Sequence, residues 1–197
     1  MRTGHCLTDD PGPHREHPRH GDGQFAGDRG LADQRADGDE NMKIDDLKDL
    51  RAVIAQARAT GYVAFDTETS GLDAMSASLI GVSLATAPNK ACYIPLGHVG
   101  EGTGDLFGGG ALLDGQIPLD QALADLKPLL EDPSILKIGQ NLKYDMTVLR
   151  RHGIEVAPYD DTIVMSFDLE AGKSLSGHGM DEAARQHLGH ECIRFKD

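Results

Sequence analysis

Three short apolar runs, at residues 62–65, 79–85 and 91–95, constrain this chain more than any other feature. Each has the length and content of a buried strand. Pro88, Asn89 and Lys90 leave room only for a tight turn between the second and third. Strands linked this closely pair with their neighbours, so an antiparallel meander is expected. Ahead of it, Leu47, Leu50, Val53, Ile54 and Ala57 recur at helical spacing, with Asp45 or Asp46 as cap and Gly61 as stop. Beyond it the text alternates. Residues 119–131 read as an amphipathic helix with Pro128 marking a kink or break. Residues 135–139 read as a strand, and 143–152 as a helix closed by Gly153. A further helix is capped by Asp161 or Thr162 and runs toward Glu170, and a last one, 180–188, ends at Gly189. A meander followed by strand–helix alternation gives an α/β fold with a mixed sheet flanked by helices.

Residues 1–43 are different in kind. They hold 7 Gly, 3 Pro, 4 His and 15 charged residues but few large apolar ones. Such a segment cannot bury enough surface to offset its ordering entropy, so it is expected to be a disordered tail, with residues 44–197 as the domain. His5, His14, His17 and His20 are read as solvated rather than as a metal tract. The tail resembles GC-rich DNA translated out of frame, so residues 1–41 are expected to be foreign to the domain, with a natural junction near Met42. Residues 97–117 are Gly-rich and read as loop, and their glycines match no phosphate-binding pattern.

The formal charge is −13, which argues against gripping nucleic acid by bulk electrostatics. No apolar run approaches the roughly 20 residues of a membrane span, and no secretory leader is evident. Cys6, Cys92 and Cys192 are odd in number and widely spaced, which fits a reducing cytoplasm rather than a disulfide framework.

Two groups of carboxylates stand at strand ends. Asp66 and Glu68 flank Thr67 in an extended segment, where residues two apart project to the same side. Like charges held together are costly without a cation, and hard cations such as Mg²⁺ favour oxygen ligands. Asp168 and Glu170 have the same spacing on a helix, where they diverge, so they are given a surface reading. The second group is the run from Gly139 through Gln140, Asn141, Leu142, Lys143 and Tyr144 to Asp145, where a strand ends and a helix begins. On spacing alone Asn141 reads as a helix cap and Asp145 as a solvated first-turn acid; the alternative is that two carboxylate groups at strand ends, far apart in sequence, serve a two-metal phosphoryl-transfer site.

Together these residues resemble a known family. The run Phe65-Asp66-Thr67-Glu68-Thr69, with Leu72 and Asp73 following, looks like the first exonuclease motif of the bacterial DNA polymerase I proofreading domain. Residues 139–145 look like its second motif. Tyr93-Ile94-Pro95-Leu96 with His98, residues 126–132, Asp161-Thr162, and His178 with Met180-Asp181 are also similar, in the correct order. The resemblance implies a ribonuclease H-like fold of the DEDD exonuclease class that releases nucleotides from single-stranded DNA 3′ ends. It implies two Mg²⁺ or Mn²⁺ ions, with Asp66 bridging them, Glu68 on the ion that activates water, and Asp145 on the second. Thr67, Thr69, Leu72, Gln140, Asn141 and Phe195 would contact substrate, and a polymerase domain would follow in cis on a monomeric chain. The alternatives are a ribonuclease D-like enzyme acting on RNA and a non-catalytic scaffold of the same fold.

The family's third motif, Tyr-x-x-x-Asp, is not found after Asp145. Tyr159 is followed four residues on by Ile163, His178 by Glu182 and His187 by Glu191. The chain is therefore expected to be a truncated exonuclease domain with weak activity or none alone.

Overall fold

The computed structural model describes residues 42–100, 111–171 and 177–192, all within the unit Gly38–Asp197. The elements in chain order are β1 (Met42–Lys43), α1 (Leu47–Thr60), β2 (Tyr62–Thr69), β3 (Leu79–Ala87), β4 (Lys90–Pro95), α2 (Leu119–Leu130), β5 (Leu136–Gly139), α3 (Lys143–Arg151), β6 (Tyr159–Asp161), α4 (Thr162–Leu169) and α5 (Met180–Ala183). A π-helical turn over Ala184–Leu188 follows and closes at left-handed Gly189.

The strands form one sheet in the order β1-β4-β3-β2-β5-β6. β2, β3 and β4 are the antiparallel meander expected from the apolar runs. β1, β5 and β6 add in parallel, which makes the sheet mixed. Alternation along β2 buries Val63, Phe65 and Thr67. Their side of the strand joins a core that includes Val82, Leu84 and Ile94 of the meander, Leu50 and Ile54 of α1, and Leu126 and Leu129 of α2. Asp46 caps α1 by accepting from the Asp49 amide at 2.8 Å, and Gly61 ends it at φ 80°. α1 is tied at the surface to α2 by Arg51–Asp125 at 2.7 Å and to the turn after α2 by Arg58–Asp132 at 2.5 Å.

Three expectations are corrected and one is narrowed. Met42 and Lys43, read as the end of the tail, form β1 beside Cys92 and Tyr93. α2 runs through Pro128, which removes the break from the two readings of kink or break, and Leu126, Leu129 and Leu130 around it are buried. β6 is additional; its sequence Tyr159-Asp160-Asp161 has no apolar signal, and it exists because its backbone completes β5. Glu170 is not on the surface. It is 7 % exposed, accepts from Gln186 Nε2 at 2.6 Å and stands 3.7 Å from His178 Nδ1. Residues 1–41 and Phe195 lie outside the described residues.

Lys137 on β5 is fully buried. Its ammonium donates to the carbonyls of Asp132 at 2.7 Å, Ile135 at 2.6 Å and Ala157 at 2.6 Å. It thus joins the connection that enters β5 to the one that enters β6. Burial pulls its pKa below the usual lysine value, with the Asp132 charge opposing.

Candidate active site

β2 continues past the residues first read as strand and carries Asp66, Thr67 and Glu68 within it. Asp66 and Glu68 are exposed on one side while Thr67 is buried on the other. A register shift between Glu68 and Thr69 ends the regular pairing with β3, a common device at the rim of a site. β5 pairs with β2 only from Tyr62 to Ala64. From Phe65 onward the flank of β2 that faced β5 is therefore open.

Asp145, in the first turn of α3, fills that flank. Its Oδ1 accepts from the Thr67 amide at 2.9 Å and from Thr67 Oγ1 at 2.5 Å. The carboxylate stands where a strand partner would have been, and it is only 3 % exposed. The solvated-acid reading of Asp145 is thereby excluded. Thr67, expected to touch substrate, spends both its amide and its hydroxyl on Asp145.

Asp66 feels both of the other acids. The Asp66 carboxyl is pushed up to about 6, first by burial in the cleft, then by the charges of Asp145 and Glu68, with the Thr67 amide opposing. Its outer side is open to solvent, so the burial is that of a cleft floor, not of a core. Burial also raises the Asp145 carboxyl; the Thr67 hydroxyl and amide pull it back, and the Asp161 charge raises it. Mutual repulsion of this kind marks a site that gains from a positive ion.

The turn from β5 into α3 sets where Asp145 points. Asn141 adopts φ 59°, a left-handed conformation that Asn tolerates better than most residues. It is not the helix cap; Leu142 holds that position. Asp161 accepts from the Asn141 amide at 2.8 Å and the Leu142 amide at 2.9 Å. The Gln140 amide group is occupied internally: Nε2 donates to the His178 carbonyl at 2.9 Å, and Oε1 accepts from Thr162 Oγ1. Gly139 is required by close approach, since a Cβ there would lie 2.2 Å from Leu142 Cδ2 and 3.0 Å from the Phe65 carbonyl oxygen. Gly139→Ala is expected to lower stability by roughly 1–3 kcal/mol, as overpacking against backbone does. A urea unfolding midpoint equal to that of the unmodified chain would refute the close approach.

α3 also braces the loop after β2. The Tyr144 hydroxyl donates to the Gly71 carbonyl, and Thr69 Oγ1 lies 2.5 Å from the Tyr144 oxygen and 3.0 Å from that carbonyl. Arg151 NH1 donates to the carbonyls of Ala74 at 3.2 Å and Ala77 at 2.5 Å. Between these braces Leu72 is 98 % exposed, so it is free to meet a ligand. Tyr93 and His98, joined at 2.6 Å, carry no sequence signal beyond their resemblance. The Glu68 charge contributes to raising the Tyr93 pKa, which places this pair on the Glu68 side of the cleft.

Among the described residues, no group of three or more His, Cys, Asp or Glu side chains is close enough to hold one metal ion together. The donor chemistry nevertheless fits a hard divalent cation. Asp66 and Glu68 share one side, Asp145 is coupled to Asp66, and all donors are oxygens. Hydrated cations, with water completing their shells, suit two exposed carboxylates and one recessed one.

A mixed sheet with carboxylates at the open ends of β2 and α3 defines a class: the fold is that of the ribonuclease H-like exonucleases. Escherichia coli RNase D, an exoribonuclease involved in structured RNA processing, shares it at 20 % identity and TM-score 0.56, over 79 % of this chain and 35 % of that one. Brucella melitensis NrnC with bound Mg²⁺ shares it at 24 % identity and TM-score 0.50, over 70 % and 57 %. The sequence narrows this further. A family model described as 3′-5′ exonuclease matches residues 41–196, and DNA polymerase I of Rhizobium leguminosarum is 52 % identical over 165 residues. The chain belongs to the 3′-5′ exonuclease family. The match spans 79 % of this chain and 16 % of the polymerase's length.

Proposed function

We propose that this domain hydrolyses phosphodiesters at the 3′ ends of single-stranded DNA, releasing nucleoside monophosphates, as a proofreading exonuclease does for a polymerase in cis. The observation that carries the reading is the Asp145 carboxylate bonded to Thr67, the residue between Asp66 and Glu68 at the open end of β2. Family membership supplies the reaction class. Asp66 and Glu68 would hold Mg²⁺ or Mn²⁺, with Asp145 holding a second ion through water. Divalent ions bound there supply charge stabilisation for the attacking and leaving oxygens. The chain's own part is positional. Thr67 fixes Asp145, Asp145 and Glu68 keep Asp66 in a strongly negative cleft, and the braced loop presents Leu72 to the terminal bases. The acidic surface is compatible with this, because only a few nucleotides need be held and the ions carry the local positive charge.

The test is single-turnover cleavage of 3′-labelled oligonucleotides, DNA against RNA of the same sequence, in Mn²⁺. The expected result is stepwise shortening of DNA from its 3′ end, abolished by EDTA. In a polypeptide of these 197 residues it will be slow, because no Tyr-x-x-x-Asp follows Asp145 in it. Faster cleavage of RNA would favour the ribonuclease D-like reading. Binding of DNA without any Mn²⁺-dependent cleavage, persisting in a chain extended through a Tyr-x-x-x-Asp motif, would favour the scaffold reading.

A further inference from the structure

Two adjacent residues hold the whole turn that presents Asp145. The Asp161 carboxylate accepts from the amides of Asn141 at 2.8 Å and Leu142 at 2.9 Å, and from Ile163 at 3.0 Å as the cap of α4. Beside it, Thr162 Oγ1 bonds the Gly139 carbonyl at 3.1 Å and the Gln140 side chain. Asn141 has φ 59° and Leu142 is right-handed at φ −54°. A left-handed residue followed by a right-handed one turns successive N–H groups toward a common point, which forms an anion-binding nest. Here the anion is a side chain of the same domain. The helix that begins at this nest carries Asp145 three residues after Leu142, and Asp145 in turn bonds the Thr67 amide.

We propose that Asp161 is a positioning residue: by filling the nest it fixes the first turn of α3 and so aims Asp145 at Thr67 and the cleft. The functional weight of this rests on Asp145 being a cleft ligand under the proposed function. The geometry itself has a readout that needs no cation. The Thr67 amide is protected by Asp145, so its hydrogen exchange reports where Asp145 stands.

Asp161→Asn tests it. Asparagine offers one acceptor oxygen, and its NH₂ faces a backbone donor. Exchange at Asn141, Leu142 and Thr67 is expected to rise by about tenfold or more, while amides of the β3–β4 ladder keep their protection. Mn²⁺ affinity should fall several-fold. The double variant Asn141→Gly with Asp161→Asn should restore much of the Thr67 protection, because glycine adopts positive φ without a steric penalty. Loss of a cap alone would show no such rescue. The proposal is overturned if Thr67 keeps its protection in Asp161→Asn. It is also overturned if Thr67 and the ladder lose protection together and Asn141→Gly reverses neither. An unmodified chain that binds no Mn²⁺ overturns the cation reading alone, and the Thr67 amide still decides the role of Asp161.

Discussion

Asp66→Asn is expected to make the cation-free protein more stable while removing its chemistry. The Asp66 carboxyl lies at about 6 against an ordinary value of 3.8. Between those values the folded chain keeps a proton that the unfolded chain has released. The unmodified protein therefore loses stability as pH rises through that window, and an amide at the position does not. The displacement corresponds to about 3 kcal/mol if fully felt. Solvent screening at an exposed carboxylate reduces this to about 1 kcal/mol. Urea unfolding in EDTA at pH 7.5 should show the gain, and at pH 3 the two proteins should be alike. Hydrolysis moves the other way. Losing the carboxylate that both neighbours act on should lower single-turnover cleavage by at least ~10²–10³, the usual loss when one electrostatic element of a hydrolytic site is removed. Unchanged cleavage would take Asp66 out of the site. A loss of stability at pH 7.5 would show that its charge is already compensated within the fold.

Lys137→Met is expected to give the largest loss of stability. Methionine fills much of the same volume but leaves the carbonyls of Asp132, Ile135 and Ala157 without their shared donor. Each buried acceptor left unpaired costs about 1–3 kcal/mol, and relaxation recovers part of that. A net loss of about 3–5 kcal/mol is a large share of the 5–15 kcal/mol that typically holds a domain together. Urea denaturation followed by circular dichroism measures it. A change below about 1 kcal/mol would mean that the three carbonyls find other partners and that the ammonium is dispensable.

The meander was legible because each strand declares itself by an apolar run and a nearby turn. The shared side of Asp66 and Glu68 followed from strand periodicity alone. Asp145 did not. Its spacing describes an ordinary first-turn acid as readily as a site residue, and the resemblance decided between them, because its burial depends on β5, the strand beside β2, stopping early. The same reason hid Lys137, Glu170, Thr67 and Gln140. A polar side chain is buried when tertiary partners satisfy it, and those partners lie 5 to 78 residues away along the chain for the side-chain contacts of Lys137, Gln140 and Thr67 outside their immediate neighbours. β1 and β6 were hidden for another reason: two and three residues carry too little pattern to read. Of the two caps the sequence offers for α4, Asp161 and Thr162, the structure uses Asp161, but nothing local to it records the second turn it holds.

If the proposed function holds, the bracing of the loop after β2 by α3 sets a distance along a strand of DNA. Asp145, Tyr144 and Arg151 sit on one nine-residue helix. That helix therefore fixes both the carboxylate and, through Gly71, Ala74 and Ala77, the loop that exposes Leu72. A tilt of α3 carries both together and leaves their separation unchanged. Under the proposed function the helix works as a gauge block between the wedge and the scissile bond. Product size should then be insensitive to substitutions that merely loosen α3 in its seat. It should change only when residues are inserted into or removed from the loop itself.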